Sequence, residues 1–398
     1  MVAVFPPYYE AITKGETFMG LSNTALYSLS LSFAYLIVSI QSPILSGIAD
    51  YGGRKLKFMK FFSTMGAISC LALFFFESSD DIVLGIAVSI IATVGFAGSL
   101  VFYNSFLPEI ATTDQMDSVS AKGFSYGYVG SVILLIFNLL MIQKPEWFGI
   151  DPDGTLAVRI SFLSVGIWWL VFAAISFKRL PQDQPIPNTD GLIGKGLEEF
   201  KNIWREVKAQ SNVKTFLLAF FLYSAGVQTV ILLASLFGSA ELKFGQTELI
   251  VIILLLQIVG IVGAYLFTKV SSIKGNKFAL LIILGIWIAI CVAAYLVIEK
   301  NHFYFVIVAV GLVMGGVQSL SRSTYAKLLP DNTESTASYF SFYDILEKMA
   351  IVSGTLAFGF IDQLTGGMRN SILSLAVFFL VGIFFLVRVD MKNNCQAE

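Results

Sequence analysis

The chain has 398 residues, 56% hydrophobic and 13% charged, with a mean hydropathy of +0.77 and a formal net charge of −1 at pH 7. A soluble domain carries about 25% charged residues, so this one lacks the polar surface a water-exposed fold needs, and without a basic excess a nucleic-acid partner is excluded. Three scattered cysteines and one histidine, His302, give no disulfide framework, metal pattern or catalytic triad, so neither metal nor cofactor is expected.

The opening MVAVFPPYYE lacks the basic region and cleavage site of a signal peptide. Crossing a bilayer takes roughly 20 apolar residues as a helix. First-half runs of that length lie at about 24–47, 56–76, 82–107, 121–142 and 157–178. They are continuously apolar rather than alternating, which predicts helices and not barrel strands. A polar segment, Arg179 to Val213, follows. It contains Pro181, Pro185 and Pro187, then GLIGKGLEEFKNIWREVKAQ. There Ile193, Leu197, Phe200, Trp204 and Val207 share one helical face, with Lys201, Arg205 and Lys208 opposite. An amphipathic helix at the membrane surface and a helix packed on the protein's own loops both satisfy that pattern. Second-half runs lie at about 214–238, 247–270, 277–298, 303–328, 339–362 and 371–389.

Loop charge sets the orientation. The loops expected on one side, with the linker and the C-terminus, hold 19 Lys and Arg and the opposite loops hold 6, which makes the C-terminus cytoplasmic. The expected localisation is a multi-pass protein of the plasma (inner) membrane.

The halves also match each other. The third run ends Leu107-Pro108-Glu109 and the ninth Leu329-Pro330-Asp331, offset by 222 residues; Gly53-Arg54-Lys55 and Gly275-Asn276-Lys277 repeat that offset. Phe124-Ser125-Tyr126 likewise parallels Phe340-Ser341-Phe342. The expected architecture is all-α: two pseudo-symmetric six-helix bundles, 1–178 and 214–398, joined by a cytoplasmic linker, 179–213. The offset leaves only Met1 to Tyr9 for the first helix, at most about 14 Å of a ~30 Å core. The sequence therefore predicts about 11 full transmembrane helices and a truncated first one, with its start upstream.

The loop after the first run reads Ser46-Gly47-Ile48-Ala49-Asp50-Tyr51-Gly52-Gly53-Arg54-Lys55. Asp50 can pair with Arg54 and Lys55 across a short turn that Gly52 and Gly53 permit. A plain positive-inside loop is the simpler alternative. This stretch resembles the G-x-L-a-D-R-x-G-R-K signature of the major facilitator superfamily, departing at Ser46 and Tyr51. VFYNSFLPEIA (Val101–Ala111), GGVQSLSRSTYAKLLPD (Gly315–Asp331) and SFYDILEKM (Ser341–Met349) resemble its vacuolar-effluxer-like branch, relatives of the autophagy-linked amino-acid exporter. The resemblance implies a secondary transporter that exports a small solute, such as amino acids, by alternating access, with Asp50, Gly53, Arg54 and Lys55 as a cytoplasmic gate.

Charges within a span default to functional candidates. In the tenth run, Asp344 and Lys348 stand i, i+4, and Glu347 directly precedes Lys348. They form either a proton or substrate site on the central pathway or a neutralised pair that fixes packing. Arg322 is an anion-binding or latching group, for instance against Asp331, or an interfacial anchor. Tyr103, Asn104 and Glu109 are its first-half counterparts. Gln228 is expected to line the pathway, Asn138 and Gln257 to join helices, and Tyr8, Tyr9 and Tyr223 to stack on a solute or form an interface belt. No nucleotide-binding loop occurs, so protons are the expected driving partner of a monomer that meets solute and lipid. An uncoupled facilitator, a carrier of lipid-like molecules and a non-transporting receptor or scaffold are the remaining readings; an intramembrane enzyme is not supported.

Overall fold

A bilayer offers no water to unpaired backbone groups, so long apolar runs satisfy them internally as helices. The computed structural model describes residues 4–14, 17–18, 21–152, 154–185, 191–330 and 333–391. Its helices in chain order are α1 (Phe5–Ile12), α2 (Asn23–Gly52), α3 (Lys55–Ala72), α4 (Ile82–Ser105), α5 (Leu107–Ile110), α6 (Met116–Gln143), α7 (Leu156–Arg179), α8 (Leu192–Ala209), α9 (Ser211–Leu242), α10 (Gln246–Lys274), α11 (Asn276–Leu296), α12 (Lys300–Leu328), α13 (Thr336–Thr365) and α14 (Met368–Leu386). Among the described residues the strand content is one two-residue antiparallel pair, Thr17–Phe18 with Leu21–Ser22.

Among the described residues ten helices are long and apolar enough to cross a membrane. The remaining expected run, 339–362, lies in α13, which at 30 residues has the length; Asp344, Glu347 and Lys348 lower its apolarity. Helix α6 starts earlier than its apolar run, because Asp117, Ser118 and Ser120 are already helical.

The chain forms two compact units. One comprises 1–106, 133–201 and 334–341, and the other 107–132, 202–333 and 342–398. In the first, small residues bring helices to backbone contact: a Cβ on Gly95 of α4 would lie 2.5 Å from the Gly66 Cα of α3, and one on Gly66 would lie 2.4 Å from the Trp169 ring of α7. The short α1 buries Phe5, Tyr8 and Tyr9 among Tyr27, Phe76 and Phe162. The Tyr8 hydroxyl donates to the Phe76 carbonyl at 2.8 Å, so these tyrosines are buried core side chains.

In the second unit α10 and α12 meet at Gly263, where a Cβ would lie 1.9 Å from the Leu312 carbonyl oxygen, and at Gly315, where it would lie 2.0 Å from that of Gly260. Trp287 of α11 stacks on Phe379 of α14.

An arginine that binds backbone carbonyls and one acid recurs in both halves. At the start of α7, Arg159 donates to the Phe74 carbonyl at 2.6 Å and pairs with Glu77 at 2.9 Å. At the start of α14, Arg369 donates to the Tyr295 and Val297 carbonyls and pairs with Glu241 at 3.0 Å. Each arginine thus ties the last helix of its half to backbone carbonyls just past α3 in one case and at the end of α11 in the other, while its carboxylate partner follows α3 in the first and ends α9 in the second.

Candidate functional site

Helix α2 ends in a Schellman motif. The Arg54 N–H donates to the Ala49 carbonyl at 2.9 Å, the Gly53 N–H to the Asp50 carbonyl at 3.1 Å, and Gly53 has φ +59°. A side chain is excluded at Gly53 by space as well, since a Cβ would lie 2.1 Å from the Gln184 carbonyl oxygen. Gly52 is helical. The turn presents Asp50 to the first turn of α13, where its carboxylate accepts from the Ala337 N–H at 3.2 Å and the Ser338 N–H at 2.6 Å. An anion there satisfies donors that have no partner within the helix and meets its positive dipole end. Lys55 donates to the Thr336 hydroxyl and stands 4.0 Å from Asp50, at the limit of an ion pair. The shorter, charge-assisted hydrogen bonds dominate, so Asp50 acts first as a helix cap. Arg54 enters no ion pair among the described residues.

Linker residues reinforce this end of the unit. The Asp183 carboxylate accepts from the Leu56 and Lys57 N–H groups at 2.7 and 2.8 Å, capping α3. Glu199 of α8 accepts from the Ser335 hydroxyl. A Cβ on Gly47 of α2 would fall 2.1 Å from the Gly196 carbonyl oxygen of α8, and Ile203 and Val207 are buried. Of the predicted apolar face, Val207 is buried and Leu197 and Phe200 half-buried, whereas Ile193 and Trp204 remain exposed.

The second unit contains a matching network that sequence reading missed. Asp117, in the first turn of α6, accepts from Asn276 at 2.7 Å, Ser271 at 2.9 Å and Lys327 at 2.8 Å. Lys327 also donates to the Asn276 side-chain oxygen at 3.0 Å. Buried Arg322 donates to the Ser120 hydroxyl at 3.0 Å and carbonyl at 2.9 Å, with its guanidinium 4.6 Å from the Phe124 ring centroid. Asp331, its suggested partner, lies outside the described residues. The signal was present in Gly275-Asn276-Lys277, which repeats Gly53-Arg54-Lys55 and marks the corresponding turn.

Further along α13, Asp344 and Lys348 are buried and in contact at 2.5 Å. Glu347, with a quarter of its side chain exposed, stands 3.5 Å from the same ammonium. Gln228 of α9 donates to Glu347 at 3.0 Å. The other Asp344 oxygen is buried with no hydrogen-bond partner. Nearby, Tyr343 stacks on Phe220 at 4.0 Å between ring centroids, and Tyr223 shares a 2.7 Å hydrogen bond with Ser321. Asp344, Glu347, Lys348 and Gln228 are thus brought together. Tyr103 and Asn104 sit on α4 in the other unit, Tyr103 exposed and Asn104 half-buried. Asn138 accepts from Ser164 and joins α6 to α7, whereas the side-chain oxygen of Gln257 is buried without a partner.

Two compact units of membrane-length helices, with charged side chains buried within a long helix, define a multi-pass membrane protein. Solved structures agree on the fold. The fucose transporter FucP in its outward conformation superposes with a TM-score of 0.73 at 13% identity, over 98% of this chain and 94% of that one. The proton:xylose symporter XylE gives 0.72 at 13% identity, over 98% and 91%. Both are major facilitator superfamily proteins. Within that superfamily, residues 15–398 match the family described as "Vacuole effluxer Atg22 like", and the chain belongs to it. Its relatives include a Bacillus subtilis protein described as "Uncharacterized MFS-type transporter YxiO", 30% identical over all of this chain and 92% of its own length. Autophagy-related protein 22 of Kluyveromyces lactis is 25% identical, over 97% of this chain and 82% of its own.

Proposed function

We propose that the chain is a proton-coupled secondary transporter that exports a small solute, with amino acids the first class to test, by alternating access. The observation that carries this reading is the α13 cluster, in which one ammonium serves two carboxylates. An uncompensated carboxylate at membrane depth is costly, so a cluster short of one positive charge is suited to exchanging a proton. Asp50 and Lys55 act as a gate latch on the cytoplasmic side, released when the two sequence halves rock. The distribution of lysine and arginine supports a cytoplasmic C-terminus, and the protein works as a monomer in the plasma membrane.

The test is flux of a radiolabelled amino-acid panel in proteoliposomes under an imposed pH gradient. Flux that follows the gradient in the wild type and loses that dependence in Asp344→Asn/Glu347→Gln is expected. Full gradient dependence in the double variant would overturn the proton role, and gradient-independent flux in the wild type would point to a facilitator.

A further inference from the structure

The two α13 carboxylates are not equivalent. Asp344 and Lys348 touch at 2.5 Å, with side chains only 2% and 7% exposed. Such a pair is a fixed, self-neutralised unit, because separating it would leave two desolvated charges. Glu347 lies a further ångström from the ammonium, with 25% of its side chain exposed. It is held instead by a neutral donor, the Gln228 amide. Among the described residues no second cation pairs with either carboxylate. The remaining buried Asp344 oxygen, which lacks a hydrogen-bond partner, is an acceptor position left open in the same cluster. Tyr343 is the titratable neighbour on α13, stacked on Phe220 of α9, whose ring also meets that of Tyr223. Tyr223 is hydrogen-bonded to Ser321, and Arg322 donates to Ser120 of α6.

We infer that Glu347 is the exchange site of the cluster, taking up one positive charge from an N–H or O–H donor, while Asp344 holds Lys348 in place and Gln228 positions the Glu347 carboxylate. This rests on the transport reading above and deepens it. The charge has two sources: a proton from water, which converts the Glu347 carboxylate to a carboxylic acid, or the primary ammonium of a bound solute, which bridges Glu347 and the open Asp344 oxygen. Lys348 stands closer to Asp344, at 2.5 Å against 3.5 Å for Glu347, which leaves the exchange to the more accessible and less tightly held carboxylate.

The experiment is infrared difference spectroscopy of the purified protein between acidic and alkaline buffer, reading the protonated-carboxyl band. Alongside it, thermal stability is measured with the L-amino acids and with their N-acetyl counterparts. For a proton, the wild type shows the band, Glu347→Gln loses that share of it, and Lys348→Met gains about one further carboxyl, because a second proton replaces the ammonium. Gln228→Leu keeps the band but shifts its frequency, since the amide hydrogen bond is gone while both carboxyls remain. For a solute ammonium, free amino acids raise the melting temperature, N-acetyl forms do not, and Glu347→Gln abolishes the effect. A band or an amine-dependent shift kept in full by Glu347→Gln overturns the assignment, as does the absence of both signals in the wild type. Should Glu347→Gln fail to fold, the Lys348→Met and Gln228→Leu spectra decide: no gain in the first and no shift in the second also overturn it. Neither readout needs net flux, so this assignment and the transport reading fail separately.

Discussion

Asp50 gives its carboxylate to two backbone N–H groups of α13, whereas Asp117 holds three side chains, those of Ser271, Asn276 and Lys327. The first arrangement tolerates loss of the nearby lysine; the second does not. Removing one member of a largely buried ion pair strands the other, on the order of 3 kcal/mol. Lys327→Met is therefore expected to lower the apparent melting temperature in detergent sharply. Lys327→Met/Asp117→Asn should be less destabilised than the sum of its single variants, giving a coupling of at least about 1 kcal/mol. Additive losses would mean that the two residues do not act as a pair. Asp50, Gly53 and Lys55 were legible in the sequence because the turn is local and its signature contiguous. Asp117 and Lys327 were not, since they stand 210 positions apart and each alone reads as an ordinary charge at a helix end. The Asp344, Glu347 and Lys348 cluster was visible as charge inside an apolar run. Its asymmetry was not, because that depends on side-chain distances and on Gln228, a neighbour supplied by another helix.

Periodicity located α8, but not its close approach to α2. The deciding residues are glycines, which a hydrophobic pattern cannot register: Gly47 and Gly196 let α2 and α8 approach to backbone contact. Gly47→Ala would place a methyl 2.1 Å from a carbonyl oxygen, and overpacking of this kind costs about 1–3 kcal/mol. Gly127→Ala, at a helical position with open space around it, is expected to be neutral or to gain up to about 1 kcal/mol. Thermal melting of the two variants side by side checks the contact; equal melting temperatures would remove it. The early start of α6 escaped for a related reason. Its first turn is polar because those side chains bind partners, so it looks like loop to any hydropathy reading. In α13 the same cause lowers apolarity without shortening the helix, and about 9 Å of axial rise separate the turn capped by Asp50 from Asp344.

Composition and run length made the membrane class and the helical architecture legible, and the 222-residue offset made the duplication so. The arginine tie at Arg159 and Arg369 was not, because it runs partly to carbonyls, which every residue carries, and partly to acids at different places in the two halves, Glu77 and Glu241. The two compact units also depart from the sequence halves, since residues 107–132 and 334–341 are each grouped with helices of the opposite half. The physical reason lies in the first turns of α6 and α13, held by Lys327 and Arg322 in one case and by Asp50 and Lys55 in the other.

Within the linker predicted over 179–213, the chain is fastened on both sides of residues 186–190: Asp183 on the head of α3 before them, and Gly196 and Glu199 on α2 and Ser335 after them. Covalent continuity there becomes dispensable. Two separately expressed polypeptides, cut between Pro185 and Gly191, should recognise each other in the membrane and be recovered together through an affinity tag on either one. Recovery of the tagged piece alone would mean that these attachments do not hold without the peptide bond between them.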